Sequence, residues 1–198
     1  LLKIYRAIVP TTLTQYQLSD VINQMIRKLV TIPSAVLRDK SKRIGYVDDS
    51  IRQLVNDMIE TTLDWDHESE FGAALAAIQV GEAVKLTVVR NNFDDADDKT
   101  FLTFMNPEIV QKSREQVVDV EGCLSVPGYY ARIPRAKKIK VKAETIDGEP
   151  VRMTLEGFAA RVFQHEVDHM HGKLFFDYIK SADDVLKLSD DGKLIPVD

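Results

Sequence analysis

His165-Glu166-Val167-Asp168-His169 sets two imidazoles four residues apart with a carboxylate beside the first. Inside a helix that spacing stacks both rings on one face, where each can offer a nitrogen to the same metal ion. Glu166 is then positioned to accept the proton of a water held at that ion and to pass it on. The competing reading is a surface helix whose two histidines and acid share no purpose. A hydrolytic metal site takes three protein ligands and leaves a fourth position open, so the residues able to complete the set decide between the two.

The longer metalloprotease pattern places a further histidine six residues after the second ring, but that position is Phe175. A downstream carboxylate such as Asp177 keeps a protease with an acidic third ligand open. His171 lies two residues past His169, about 200° around the helix, and reads as a cation near a helix C-terminus. Cys123 is the chain's single cysteine, so it has no internal disulfide partner. Its thiolate would be a strong ligand for zinc or ferrous iron, and neighbouring Gly122 permits close approach. A lone cysteine is equally at home as a small buried apolar group. On these residues alone both readings stand.

The elements that must hold these groups follow from periodicity. Phe158, Val162, Phe163, Val167 and Met170 supply the apolar contacts of the histidine helix, which Glu156-Gly157 opens and Gly172 can end. Ile51, Leu54, Val55, Met58, Ile59 and Leu63 predict another amphipathic helix, from the acidic start Asp48-Asp49-Ser50 to Asp64. Val21, Ile22, Met25, Ile26, Leu29 and Val30, behind Ser19 or Asp20, predict one more before Pro33. Residues 1–33 thus read as a helical extension packed on the domain. A basic loop with Arg38, Lys40, Lys42 and Arg43 follows.

Asp64 to Glu70 reads as an acidic loop with a solvated His67, and residues 71–81 as a run of small side chains that lets something approach the backbone. Lys85 to Arg90 and Phe101 to Asn106 read as strands, with Pro107 after the second. Glu115 to Glu121 is extended and delivers Gly122-Cys123-Leu124-Ser125. Ile139, Val141 and Ala143 alternate, turn at Asp147-Gly148 and return through Val151, Met153 and Leu155 as a hairpin. Residues 181–198, with Asp183, Asp184, Asp190, Asp191 and Asp198, read as a short helix and a loose acidic tail. Strands and helices do not alternate regularly, so the fold class is α+β.

With 198 residues, 44% hydrophobic and 29% charged, the chain suits one globular domain. A net charge of -5 and a pI near 5.4 argue against a general nucleic-acid or anionic-membrane binder. No apolar run approaches the roughly 18 residues of a membrane span, and no secretory signal is evident. The sequence is therefore expected to work inside a reducing compartment, which also suits a free thiol.

Three ordered segments then carry a family resemblance: Gly72-Ala73-Ala74-Leu75-Ala76-Ala77-Ile78-Gln79, Glu121-Gly122-Cys123-Leu124-Ser125, and Gln164-His165-Glu166-Val167-Asp168-His169. They resemble the G-x-G-x-A-A-x-Q, E-G-C-L-S and Q-H-E-x-D-H signatures of peptide deformylases, and the likeness runs from about residue 34 to 180. It implies an α+β fold in which the signature metal-binding helix is surrounded by antiparallel β-sheets. It further implies a catalytic domain over 34–180, flanked by the N-terminal helix and the acidic tail, that removes formyl groups from N-formylmethionyl nascent chains. By that resemblance Cys123, His165 and His169 hold one divalent metal, ferrous iron natively, with zinc, nickel or cobalt able to replace it. Glu166 is implied as the proton carrier, and the Gln79 amide and Leu124 backbone N–H as donors to the developing oxyanion.

Gly72 and Ala74 would flank the substrate backbone, and Leu124, Phe158 and Val162 are expected to line a pocket for the methionine side chain. A Glu121–Arg135 ion pair is expected to brace the cysteine segment. Two departures stand out: Ala74 replaces the second family glycine, adding a β-carbon and disfavouring positive φ, and Tyr130 stands where many members carry arginine, leaving Arg132 to serve instead. The partners implied are the nascent peptide and, transiently, the ribosomal exit region, for a cytoplasmic or organellar monomer. A metalloprotease and a deformylase-like binding protein without turnover are the two alternatives.

Overall fold

The computed structural model describes residues 25–67, 70–93, 95 and 97–197. Two α-helices stand among the described residues: α1 (Asp49–Asp64) and the signature helix α2 (Gly157–His169). Asp48 caps α1, its side chain accepting from Ile51 N–H at 3.0 Å, as the acidic start predicts. Eleven strands accompany the helices: β1 (Asp66–His67), β2 (Glu70–Phe71), β3 (Ala74–Ala76), β4 (Leu86–Arg90), β5 (Phe101–Lys112), β6 (Gln116–Glu121), β7 (Tyr129–Ala136), β8 (Lys138–Glu144), β9 (Pro150–Glu156), β10 (Val185–Leu188) and β11 (Leu194–Pro196).

They form a five-stranded sheet in the order β3-β4-β5-β8-β9, a four-stranded sheet β11-β10-β7-β6, and a small β1-β2 hairpin, with every strand pair antiparallel. The five-stranded sheet is covered on both faces near β4 and β5. Leu102, Phe104, Val141 and Met153 pack on Ala160, Val162 and Phe163 of α2. Phe101, Met105, Leu86 and Val88 face Leu54, Val55 and Met58 of α1. Burying one such large side chain contributes about 1.5–3 kcal/mol. The signature helix also touches β7 of the second sheet. This is the expected α+β arrangement, with the helix enclosed by antiparallel sheets.

The structure corrects several local expectations. Residues 25–33 are not helical. They have no regular structure before a turn at 32–33 and are tied to the domain, with Met25 N–H on Asp57 Oδ1 (3.2 Å), Arg27 N–H on Thr61 Oγ1 (2.8 Å), Val30 N–H on Gln79 O (2.8 Å) and Ile32 N–H on Ser125 O (3.0 Å). The remainder of that expected helix lies outside the described residues. β5 does not end at Pro107: Asn106 adopts φ 49° in a bulge, its amide tied to Ile44 N–H and C=O at 2.9 Å, and the strand resumes to Lys112. Residues 181–197 are not an α-helix and loose tail. After a 3-10 turn at Ala182–Asp184, β10 pairs with β7 and β11 pairs with β10. His67 lies in β1 rather than a loop.

Candidate metal centre

Cys123 leaves the end of β6 on a turn closed by Val126 N–H to Cys123 O at 2.8 Å. Gly122 makes the approach feasible, since a β-carbon there would stand 2.7 Å from the Tyr130 ring. His165 and His169 project from successive turns of the buried side of α2, their Nε2 atoms 3.1 Å apart, and Cys123 Sγ lies 3.3 Å from His169 Nε2. Among the described residues this is the cluster able to hold a metal ion, its three donor atoms all within 4.8 Å of one another. Donors bound to one tetrahedral ion stand roughly 3.3–3.6 Å apart, so the spacing fits a shared cation. Thiolate and imidazole also suit iron, zinc and their neighbours.

The ring orientation is fixed from behind. His165 Nδ1 faces Glu121 Oε2 at 3.1 Å, which directs its Nε2 lone pair at the cluster. Glu121 is in turn held by Arg135 (Nε–Oε1 2.8 Å, Nη2–Oε2 3.0 Å) and by Arg161 Nη1 at 2.7 Å. Burial opposes the Glu121 charge, but hydrogen bonds from His165 and Arg135 outweigh it and hold the carboxyl at about 2. Arg161 also donates to the carbonyls of Ile133 (2.9 Å) and Val117 (2.7 Å), joining the helix to the cysteine-bearing hairpin. Arg135 continues to Asp168, which accepts from Tyr178 OH at 3.0 Å. The expected Glu121–Arg135 pair is therefore present, within a larger buried network.

The two imidazoles respond oppositely to these surroundings. Burial pulls both pKa values down. At His165 the negative charges of Cys123, Glu121 and Glu166 reverse that and raise it well above the ordinary value, whereas at His169 positive His165 and Arg135 add to burial and lower it further.

Glu166 is buried, with one carboxylate oxygen lacking a partner among the described residues. Burial, opposed by positive His165, pushes its pKa up to about 7, where a group can both take and return a proton. Gln79 is oriented by the backbone of Ala76: its Oε1 accepts from Ala76 N–H at 2.9 Å, turning Nε2 toward Ser125 Oγ (3.2 Å) and Cys123 Sγ (3.5 Å).

A cavity of about 430 Å³ opens over this floor, and Gly72, Ala74, Gln79, Leu124, Phe158, Val162, His165 and Glu166 all line it. Phe158 stands at the mouth, 48% exposed, edge-on to Phe93 with centroids 5.1 Å apart. Gly72 has a structural reason to lack a side chain, because a β-carbon would meet the Thr62 backbone oxygen at 2.6 Å. Ala74 sits in extended β3 opposite Val89, so its backbone has no need of positive φ, contrary to the concern raised by the missing glycine. Tyr130 is buried against Gly122 and lines the cavity. Arg132 is not among the cavity residues and donates to Asp183 O at 3.2 Å. His171 Nδ1 lies 2.8 Å from Val167 O, outside the donor cluster. Asp177 pairs with Arg38 at 2.9 Å rather than joining the cluster, which removes the acidic third ligand that a protease reading needs.

Sequence reasoning missed the Glu121–His165 link, Arg161, Asp168 and the helix-pinning Gln164, whose amide brackets Ala136 O (2.9 Å) and Ala136 N–H (3.2 Å). Their charged or amide character at positions facing an apolar helix stripe was the available signal.

Residues 26–185 match the family model described as polypeptide deformylase. The peptide deformylase of Desulfotalea psychrophila is 43% identical over 156 residues, covering 79% of this chain and 89% of that protein. Peptide deformylase 2 of Clostridium acetobutylicum is 41% identical over 154 residues, covering 78% and 95%. Among solved structures, the peptide deformylase of Thermotoga maritima superposes with a TM-score of 0.71 at 37% identity, covering 80% of this chain and 100% of that one. A probable peptide deformylase from Synechococcus phage S-SSM7 gives 0.70 at 38% identity, covering 77% and 99%.

Proposed function

The chain belongs to the peptide deformylase family, a family of metal-dependent enzymes, and on that footing we propose that it releases formate from N-formylmethionyl nascent peptides at a centre formed by Cys123, His165 and His169. The observation that carries the reading is the convergence of a thiol and two imidazoles beside the unpartnered oxygen of a buried carboxylate, at the floor of one cavity. The chemistry that a divalent cation supplies here when bound is acidification of a water and polarisation of the formyl oxygen.

The chain's own residues do the rest. Glu166 takes the proton of the attacking water as the new C–O bond forms, and delivers it to the peptide nitrogen as the formyl C–N bond breaks. Gln79 Nε2 and the Leu124 backbone N–H donate to the formyl oxygen while it carries negative charge. Glu121 keeps His165 in the tautomer that presents Nε2, and Arg135 with Arg161 keeps Glu121 ionised. Gly72 and Ala74 border the peptide backbone, and Leu124, Phe158 and Val162 receive the methionine side chain.

Ferrous iron is the ion proposed in the cell. The same donors accept zinc, nickel or cobalt, so occupancy follows supply as much as affinity. The enzyme is proposed to act as a monomer in the cytoplasm or an organelle, meeting chains transiently at the ribosomal exit. Among the described residues, no helix is long and apolar enough to cross a membrane.

The test is formate release from a formyl-Met peptide by protein loaded anaerobically with ferrous iron. Turnover that disappears in Cys123→Ala together with the bound metal supports the reading. Metal retained in full by Cys123→Ala, or no formate from iron-, nickel- or cobalt-loaded protein, overturns it.

A further inference from the structure

The cavity over the metal centre does not stop at the methionine pocket. Its wall continues onto the C-terminal hairpin, where Leu188 and Leu194 line it together with Tyr129 and Gly128. These two leucines are direct cross-strand partners of β10 and β11, so their side chains share one face. Leu186, two residues before Leu188 and on that same face, is buried beneath. The hairpin is fixed rather than adventitious. Leu188 N–H donates to Gly128 O at 3.2 Å, next to the cysteine turn, and Leu186 pairs with Tyr130 in the register. Its own turn is closed by Ser189 N–H to Lys193 O at 2.9 Å and Lys193 N–H to Ser189 Oγ at 3.1 Å.

A deformylase substrate is a chain, and only its first residue can occupy the pocket at the catalytic floor. The residues that follow must leave along the cavity. Leu188 and Leu194 offer them an apolar surface continuous with the catalytic cavity, yet Leu194 is 39% exposed and Tyr129 49% exposed, so this surface is not needed to close the core. Of the charged residues of the same hairpin, Asp190, Asp191 and Lys193 belong to its turn, and Lys187 lies on the opposite face of β10, paired with Ile195.

Resting on the deformylase reading, we infer that the β10–β11 hairpin is a specificity element, in which Leu188 and Leu194 receive an apolar side chain from the second or third residue of the formylated peptide. The occupant is the substrate itself, because the surface is the wall of the cavity that holds the proposed catalytic groups. A partly buried leucine in such a site changes selectivity by about tenfold over a serine.

The experiment compares kcat/KM for formyl-Met-Leu-Ser and formyl-Met-Ser-Leu with formyl-Met-Ser-Ser. In the unaltered protein one of the two leucine peptides is favoured by about tenfold, and in Leu188→Ser/Leu194→Ser the preference falls below about twofold. The single variant Leu194→Ser, at the partly exposed position, lowers it to an intermediate value and serves if the double variant folds poorly. Ile195→Ser, on the opposite face of the hairpin and outside the cavity, leaves the preference unchanged. Absence of preference in the unaltered protein, or a preference that survives in the leucine variants, overturns the inference while leaving the deformylase reading intact. Absence of formate from all three peptides overturns that reading instead.

Discussion

The inner and outer ends of the cleft are built on opposite principles. At the inner end polar bonds hold the groups around the cluster: Glu121 accepts from Arg135, Arg161 and His165, and Gln79 is turned by Ala76, while Glu166 keeps one oxygen unpartnered. At the outer end Phe158, Tyr129 and Leu194 present apolar surface with about half or less of each side chain exposed. The difference follows from what each end must do. Bond breaking tolerates little displacement of the reacting groups, whereas a nascent chain changes sequence from one substrate to the next and is met by non-directional apolar contact.

The largest expected effect breaks the inner end without disturbing its geometry. Glu166→Gln keeps shape and removes the proposed proton carrier, so kcat is expected to fall by roughly 10³-fold while metal content stays that of the unaltered protein. Metal analysis alongside steady-state kinetics checks it, and loss of metal would move Glu166 from proton transfer to ligand support.

Next comes Glu121→Gln. Removing that charge leaves Arg161 buried without its carboxylate and Arg135 paired with Asp168 alone, a loss of about 3 kcal/mol. The expected readouts are a melting temperature lowered by roughly 10 °C and metal binding weakened by about 10–100-fold. A variant that melts and binds metal like the unaltered protein would show that the network does not brace the centre.

The outer end should answer differently. Phe158→Asp is expected to raise KM for formyl-Met peptides by roughly tenfold or more, with kcat changed far less, because it removes apolar contact and not chemistry. A fall in kcat with KM intact would erase the distinction between the two ends. The smallest effect is Tyr178→Phe, which deletes one hydrogen bond to Asp168 while Arg135 remains paired with it. About 1 kcal/mol of stability is expected to go, measured by urea denaturation, with kcat/KM nearly unchanged.

The inner end was also the more legible in the sequence, for a physical reason. His165 and His169 are joined by helix geometry, which four-residue spacing encodes directly, and the helix contacts of Phe163 and Val167 follow the same period. Glu121 meeting His165 is a contact across 44 residues, which local periodicity does not record. Residues 25–33 misled because Met25, Ile26, Leu29 and Val30 have helical spacing. Hydrogen bonds to Gln79, Ser125, Asp57 and Thr61 hold the segment out of a helix, and tertiary partners outweigh a propensity worth tenths of a kcal/mol per residue. The C-terminal hairpin was hidden by its aspartates, which concentrate in the turn while Leu186, Leu188 and Leu194 face the cleft side. Ala74 looked disruptive partly because a glycine there suggests positive φ, yet extended β3 has no need of it.

The account rests on one sulfur and two imidazole nitrogens sharing a cation. X-ray absorption at the iron edge of the anaerobically loaded protein measures that most directly. The predicted spectrum shows iron bound by one sulfur and two imidazoles, with lighter oxygen scattering in the remaining position. A spectrum with no sulfur bound to iron would contradict the assignment of Cys123 and, with it, the centre described above.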